Sequence, residues 1–473
     1  MVVAKNNRKS KRNKFSLRLP SSSTIRILYI SSFAILAMGV FSIFNKKALS
    51  SNRHTISSTS SQPLSIPEIE NRLKGAIWSF FAGDALASPT HWYYGGERQI
   101  ISEYGHKISD YTKPNKKLAG SILNKSDLNG GGRSKSMSTS SSTATIIGDI
   151  INHGKQKLWS PNESNHYHGT LQRGENTLEV SLARVLMKSI VVNDGIFDAD
   201  HFRDAYIKFM TTPGSHNDTY ASTCHRMFFA NMIFRQLPPQ DCPDNDHHNV
   251  DTMDGLILPT IVALAGIRTH IISNNNNDNN NNSKLTTLND EVQKFAADCA
   301  AVTRRSSVLE GISSLWATVV LEAVRNPNDD DFLDTFNEFS KQAIKRPSNP
   351  RVQDSSTMSA CYLSSSLPGL VDMVAKYMPT TTNNNNNDGG GGGDRVWQGL
   401  LANANVGGEN VHRGSIMGAI LGARAGLNQI PPQLVNGLYP LSELEKEIDD
   451  FVRAVVRIPS PTLKSSDRRV SDS

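Results

Sequence analysis

Cysteine is scarce in this sequence: Cys224, Cys242, Cys299 and Cys361 are the only four in 473 residues. That is too few for a disulfide scaffold. A Cys224–Cys242 bridge is one reading and unpaired buried thiols the favoured one, so an apolar core has to hold the fold. Stretches alternating polar and apolar residues at period two are also missing, which argues against a sheet protein and leaves helices. Acidic residues are absent from positions 1–53, where eleven Lys and Arg stand. Of the 50 basic residues, 39 then remain to face 44 acidic ones, a balance of about −5. The main body therefore lacks the basic face that phosphate neutralisation requires, and nucleic acid is not an expected partner.

Charge is absent again from Ile27 to Phe44, which reads ILYISSFAILAMGVFSIF. At 1.5 Å per residue this run is just long enough to cross a bilayer as a helix, with Arg26 and Lys46 snorkelling at its ends. Eight positive charges precede it and three follow closely, so the N-terminus is expected to stay cytoplasmic and the rest to be lumenal or extracellular. A cleaved signal peptide ending near Ala48-Leu49-Ser50 is the rival reading, disfavoured because the run is long for one. The sequons at Asn124, Asn162, Asn217 and Asn281 acquire meaning only with a lumenal domain.

The chain then divides into a basic arm (1–26), an anchor (27–44), a Ser-rich stalk (45–65), a main domain (66–457) and a polar tail (458–473). Low-complexity insertions near 113–143, 274–283 and 380–394 are too polar to bury apolar surface and read as disordered loops. Between them the period is helical. Ser65 and Glu68 suit a capping box, and Ile69, Leu73, Ala76, Ile77, Phe80 and Phe81 form one buried stripe. Further helices are predicted over 177–192 after Asn176, from Asp198, and over 217–236, 252–272, 287–304, 330–345, 356–378 and 440–457, with one more around Val308–Val320. The fold class is an all-α multi-helix orthogonal bundle plus the N-terminal transmembrane helix. Gly414, Gly418, Gly422 and Gly426 recur every fourth residue, a stripe that lets another helix approach closely.

Four polar clusters sit at the predicted helix ends. They are Gly83-Asp84-Ala85-Leu86 with Ser88-Pro89-Thr90-His91-Trp92-Tyr93-Tyr94; His166-Tyr167-His168 with Arg173-Gly174-Glu175-Asn176-Thr177; Ser215-His216-Asn217-Asp218-Thr219; and Asn405-Val406-Gly407-Gly408-Glu409-Asn410-Val411-His412-Arg413. In order and spacing these motifs resemble the ADP-ribosylglycohydrolase superfamily over about residues 66–457. Their wording is most similar to the J1-crystallin and selenoprotein J branch. The resemblance implies ADP-ribose as ligand and two Mg²⁺ that help water cleave the bond at the ribose C1″.

Where the family has Thr-Asp-Asp-Thr, this chain has Gly174, Glu175, Asn176 and Thr177. Where it has Gly-Gly-Asp-Thr-Asp-Thr, this chain has Gly407, Gly408, Glu409, Asn410, Val411 and His412. His91 falls where a glutamate usually follows the first motif. Five carboxylates have thus become two glutamates, an amide, a valine and a histidine, too little charge for two hard dications. One Mg²⁺ on Glu175, Thr177 and Glu409 is the weakened site that survives. A zinc centre of His91, His412 and Glu409 is a second option. A metal-free reading uses Glu175 or Glu409 as general base and His412 as acid.

Gly407 and Gly408 suit close approach by a phosphate, and with Asp84 and His91 they are the candidate ligand-binding residues. Bland alternatives stand beside these. Asp84 equally suits accepting hydrogen bonds at a helix end, and Asp218 and Thr219 suit capping the helix they begin. His166 and His168 read as incidental residues of an exposed loop, and His225 with Arg226 as a satisfied polar pair. The functional expectation is an ADP-ribosyl hydrolase with an altered metal site. The alternatives are a non-catalytic binding or structural protein of the J1-crystallin kind, or a different secretory-pathway glycosidase.

Overall fold

A computed structural model describes residues 63–131, 144–275, 281–379 and 392–457. The basic arm, anchor, most of the stalk and the tail lie outside the described residues. Among the described residues the fold is helical, with no strand beyond isolated bridges. Its helices are α1 (Ile66–Ala87), α2 (Gly96–Tyr104), α3 (Leu178–Val192), α4 (Ala199–Thr211) and α5 (Thr223–Phe234). Then come α6 (Ile257–Ala265), α7 (Ile267–Asn275), α8 (Asn281–Thr303), α9 (Ser307–Arg325) and α10 (Asp329–Ile344). The last are α11 (Leu363–Tyr377), α12 (Gly392–Val406), α13 (Val411–Ala425), α14 (Pro432–Asn436) and α15 (Leu441–Val456).

Helix α1 starts where its caps place it: the Ser65 N–H donates to Glu68 Oε2 at 2.8 Å, and Pro67 occupies the first turn. From Gly75 to Ala87 the whole helix is buried. Its partner is α13, and the two run antiparallel with their backbones in contact. A Cβ at Gly422 would lie 2.1 Å from the Gly75 carbonyl oxygen. One at Gly418 would lie 2.1 Å from that of Ser79, and one at Gly83 2.1 Å from that of Gly414. Glycine in a helix interior costs about 1 kcal/mol, and the close packing of this seam offsets it. The two arginines of α13 are buried with partners. Arg413 donates to Asn403 Oδ1 at 2.8 Å and to the Thr357 carbonyl at 2.6 Å, while Arg424 pairs with Asp329.

Several sequence expectations are corrected here. The segment 217–236 becomes helical only at Thr223, because Asp218 is engaged elsewhere. The segment 252–272 is a single tight turn at Met253–Leu256 followed by two helices that break at Gly266. The insertion at 113–143 is not wholly loose, since within its described part Leu118 and Leu123 are buried. Within the stretches 274–283 and 380–394 the described residues are helical, since α7 runs to Asn275, α8 begins at Asn281 and α12 begins at Gly392, and the remainder lies outside the described residues. All four cysteines are unpaired, three of them buried.

Candidate functional site

The chain leaves α1 through a short turn, Ser88–Thr90, and reaches Trp92 at φ +59°, a left-handed conformation that a bulky residue adopts only under constraint. The constraint is the Gly407-Gly408 loop. The Trp92 N–H donates to the Gly408 carbonyl at 2.8 Å, and the Gly408 N–H returns a bond to the Tyr93 carbonyl at 3.3 Å. Both glycines have positive φ, and a Cβ on them would lie 2.3 Å from the Tyr93 oxygen and 2.6 Å from the Ser359 oxygen. The paired glycines therefore let three pieces of backbone cross. The Gly408 and Glu409 amides, which a phosphate would want, already donate to Tyr93 and Ser359.

This crossing aims Glu409 inward, fully buried. Its Oε1 lies 2.5 Å from His412 Nδ1, one turn further along α13. Its Oε2 accepts from the Trp92 indole N–H at 3.1 Å and faces His91 Nε2 at 3.4 Å. His91 stacks on Trp92 with ring centres 4.0 Å apart. Behind it, His91 Nδ1 lies 2.7 Å from His168 Nε2, and His168 Nδ1 lies 2.9 Å from Asp218 Oδ1. Asp218 also accepts the Leu178 N–H at 2.8 Å. A continuous buried chain thus runs Asp218–His168–His91–Glu409–His412, pinned at one end to the start of α3.

Burial alone would raise the Glu409 carboxyl, but His412 and His91 hold it well below the ordinary carboxylate range. Burial likewise opposes charge on His412, yet the Glu409 carboxylate pushes it up to about 9. Burial wins at His91, which falls to about 4. Glu409 and His412 therefore form an ion pair at neutral pH, with His91 beside them as a neutral imidazole.

A second polar group lies close by. Asp254 is bonded to Thr252 and takes Arg304 Nη2 at 3.0 Å, while Glu179 lies 3.0 Å from His225 Nε2. Ser222 Oγ lies between the two carboxylates, 2.7 Å from Glu179 and 2.8 Å from Asp254. A cavity of about 40 Å³ is bounded by Glu409, His412, Asp254, Ser222 and Thr252. At Trp92, Tyr220 and Cys361 it adjoins a cleft of about 350 Å³ whose walls include Tyr94, Tyr167 and Tyr362. An aromatic cleft narrowing onto a few convergent polar groups is the usual form of a small-molecule site.

Of the residues singled out in the sequence, the structure brings together His91, Glu409 and His412. Glu175 is engaged elsewhere, accepting from the Gln172 N–H at 2.7 Å and from Asn217 Nδ2 at 3.2 Å. Thr177 donates its hydroxyl to Asp84 Oδ1 at 2.6 Å, and Asp84 Oδ2 accepts the Thr177 N–H at 2.7 Å. Asp84 and Asp218 thereby satisfy the Thr177 and Leu178 amides at the start of α3, whose N-cap is Thr177 rather than Asn176. His166 and His168 are buried, not exposed, and His168 belongs to the buried chain that runs from Asp218 to His412. His225 and Arg226 are not each other's partners. His225 serves Glu179 and Tyr206, and Arg226 serves Thr223 and Asp127. Sequence reasoning missed His168, Asp218 and Asp254 as site residues. The His-Tyr-His run was a signal, but nothing in its spacing names a partner fifty residues away.

The family model of ADP-ribosylglycohydrolase matches residues 65–460, and the chain belongs to that family. It is also similar to a solved structure described as an ADP-ribosylglycohydrolase-related protein complex. The two share 14% identity at a TM-score of 0.46, over 82% of this chain and 99% of the other. A search of curated proteins finds no match.

His91, Glu409 and His412 can hold a divalent metal, each offering one ligand atom within 4.8 Å of the others. The residues do not fit two Mg²⁺. Hard dications need several carboxylate oxygens, whereas this cluster has one carboxylate and two imidazoles. Asn176 offers only a neutral carbonyl oxygen in place of a carboxylate, and Val411 supplies no donor.

Proposed function

We propose that this domain binds ADP-ribosyl compounds in the aromatic cleft and hydrolyses the N- or O-glycosidic bond at the ribose C1″. Glu409 supplies the negative charge beside which that carbon gains positive character. The observation that carries the reading is the cleft itself, whose aromatic walls suit a stacked base and whose narrow end meets Glu409 and His412. Family membership supports the substrate class. The wording around Pro89–Tyr94 and Asn405–Gly414 supports a place in the J1-crystallin and selenoprotein J branch. The basic arm and the charge-free run 27–44 support a membrane-anchored protein with a lumenal or extracellular domain.

The test is release of free ADP-ribose from arginine-linked and serine-linked ADP-ribosyl peptides by the full chain. Glu409→Gln keeps the shape and removes the charge, and is expected to lower kcat/KM by about 10²-fold or more. ADP-ribose at 100 times its Kd should stabilise the fold by about 2.7 kcal/mol.

The second reading, a non-catalytic binding protein, is favoured by the hydrogen bonding of Glu409, both of whose oxygens already have protein partners. ADP-ribose stabilisation without turnover in the wild type would establish it. Neither stabilisation nor turnover would end both.

A further inference from the structure

We infer that His91, Glu409 and His412 form a mononuclear site for a borderline divalent cation of the zinc type, built with an outer shell of His168 and Asp218. The argument is one of geometry. Asp218 is bonded to His168 Nδ1 at 2.9 Å and 3.1 Å through its two oxygens, which fixes the orientation of the His168 ring. The other His168 nitrogen, Nε2, lies 2.7 Å from His91 Nδ1 and so holds the His91 ring with its Nε2 toward Glu409.

His91 Nε2 faces Glu409 Oε2, a carboxylate oxygen, at 3.4 Å. Both residues are fully buried. A cation placed between these two atoms would take both as ligands. His412, which gives up its proton when it binds a metal, brings a second nitrogen to the same point, all three ligand atoms lying within 4.8 Å of one another.

The donor set selects the metal. Two imidazoles and one carboxylate suit zinc and its neighbours rather than Mg²⁺, which prefers oxygen alone. Three protein ligands leave a fourth position. The cavity of about 40 Å³ bounded by Glu409 and His412 is large enough for one water-sized group there. The outer shell is of the kind metal-bound histidines use: a ligand's second nitrogen donates to a partner that fixes its tautomer. Here the partner is His168, itself held by Asp218, and Trp92 steadies Glu409 with its indole N–H. This chain of residues would be superfluous if His91 merely filled space. The inference concerns the centre and does not depend on the substrate proposed above.

The experiment uses the full chain, produced without a histidine tag. Elemental analysis is expected to find close to one zinc per chain. Stripping with a chelator should lower the Tm, and micromolar Zn²⁺ should restore it while millimolar Mg²⁺ does not. Co²⁺ loaded in place of zinc should give visible bands of a low-coordinate site with nitrogen ligands. His91→Ala should abolish uptake, and Asp218→Asn should keep the metal but weaken it about 10- to 100-fold.

A chain that takes up no zinc and shows no zinc-dependent Tm shift overturns the inference. So does undiminished uptake in a folded His91→Ala, which would place the ion elsewhere. Should His91→Ala fail to fold, the wild-type Co²⁺ spectrum decides, since an all-oxygen signature is equally fatal. Turnover of ADP-ribosyl peptides by metal-free protein would remove the metal from that reaction, and zinc binding without turnover would overturn the substrate reading alone.

Discussion

The single residue that most clearly separates structural from reactive charge is Asp254. It is buried, bonded to Thr252, and paired through both oxygens with the buried Arg304. Burial would raise its carboxyl, but Arg304 holds it well below the usual value of 3.8. Its folded pKa is therefore depressed, so its contribution to stability is present above about pH 4 and lost as pH falls below that value. Unfolding in urea at pH 7 and at pH 3 should show the loss, and Asp254→Asn should show less of it. At neutral pH the same substitution leaves Arg304 charged and uncompensated, and is expected to cost about 3–5 kcal/mol. The candidate site was legible in the sequence only in part, and Asp254 shows why. His91, Glu409 and His412 lie in motifs whose positions could be matched to a family, whereas Asp254, His168 and Asp218 matter through partners 50 or more residues away, which no local pattern encodes. Glu175 illustrates the converse: its place in a motif was plain, but its hydrogen bonds to Gln172 and Asn217 could be seen only in three dimensions.

At the scale of elements, the α1–α13 seam and α9 make opposite predictions for the same substitution. Gly418 has a neighbouring carbonyl where its Cβ would stand, so Gly418→Ala should cost about 1–3 kcal/mol despite alanine's better helix propensity. Gly311, exposed in α9, has nothing within 4 Å of that position. Gly311→Ala should therefore stabilise by about 0.5–1 kcal/mol, a gain that thermal unfolding would register. The seam was readable because a four-residue glycine repeat has a steric meaning in itself. Helix starts were read less well. Asp218 looked like a cap for the helix following it, yet it bonds the Leu178 amide at the start of α3. A carboxylate's preference for a helix N-terminus is local chemistry, but which helix receives it is decided by the fold.

For the whole molecule, the four sequons turn the proposed lumenal placement into a testable pattern. Asn162 is exposed, so in a lumenal domain it should carry a glycan that glycosidase treatment removes. Asn217 should stay bare, because its amide donates to the Thr170 carbonyl at 2.6 Å and to Glu175. A chain from membrane fractions with unmodified Asn162 would remove the lumenal placement and leave the fold untouched.

The glycine seam also sets a timetable. Gly83 meets Gly414 across more than 300 residues of intervening chain, and α1 is buried on every side from Gly75 onward. During synthesis this apolar helix emerges early and waits for its mate until almost the whole domain has been translated. Contacts so distant in sequence form slowly. The nascent chain is thus expected to need protection from aggregation until α13 has been made, and a message truncated before residue 411 yields a product whose first helix lacks its main native partner.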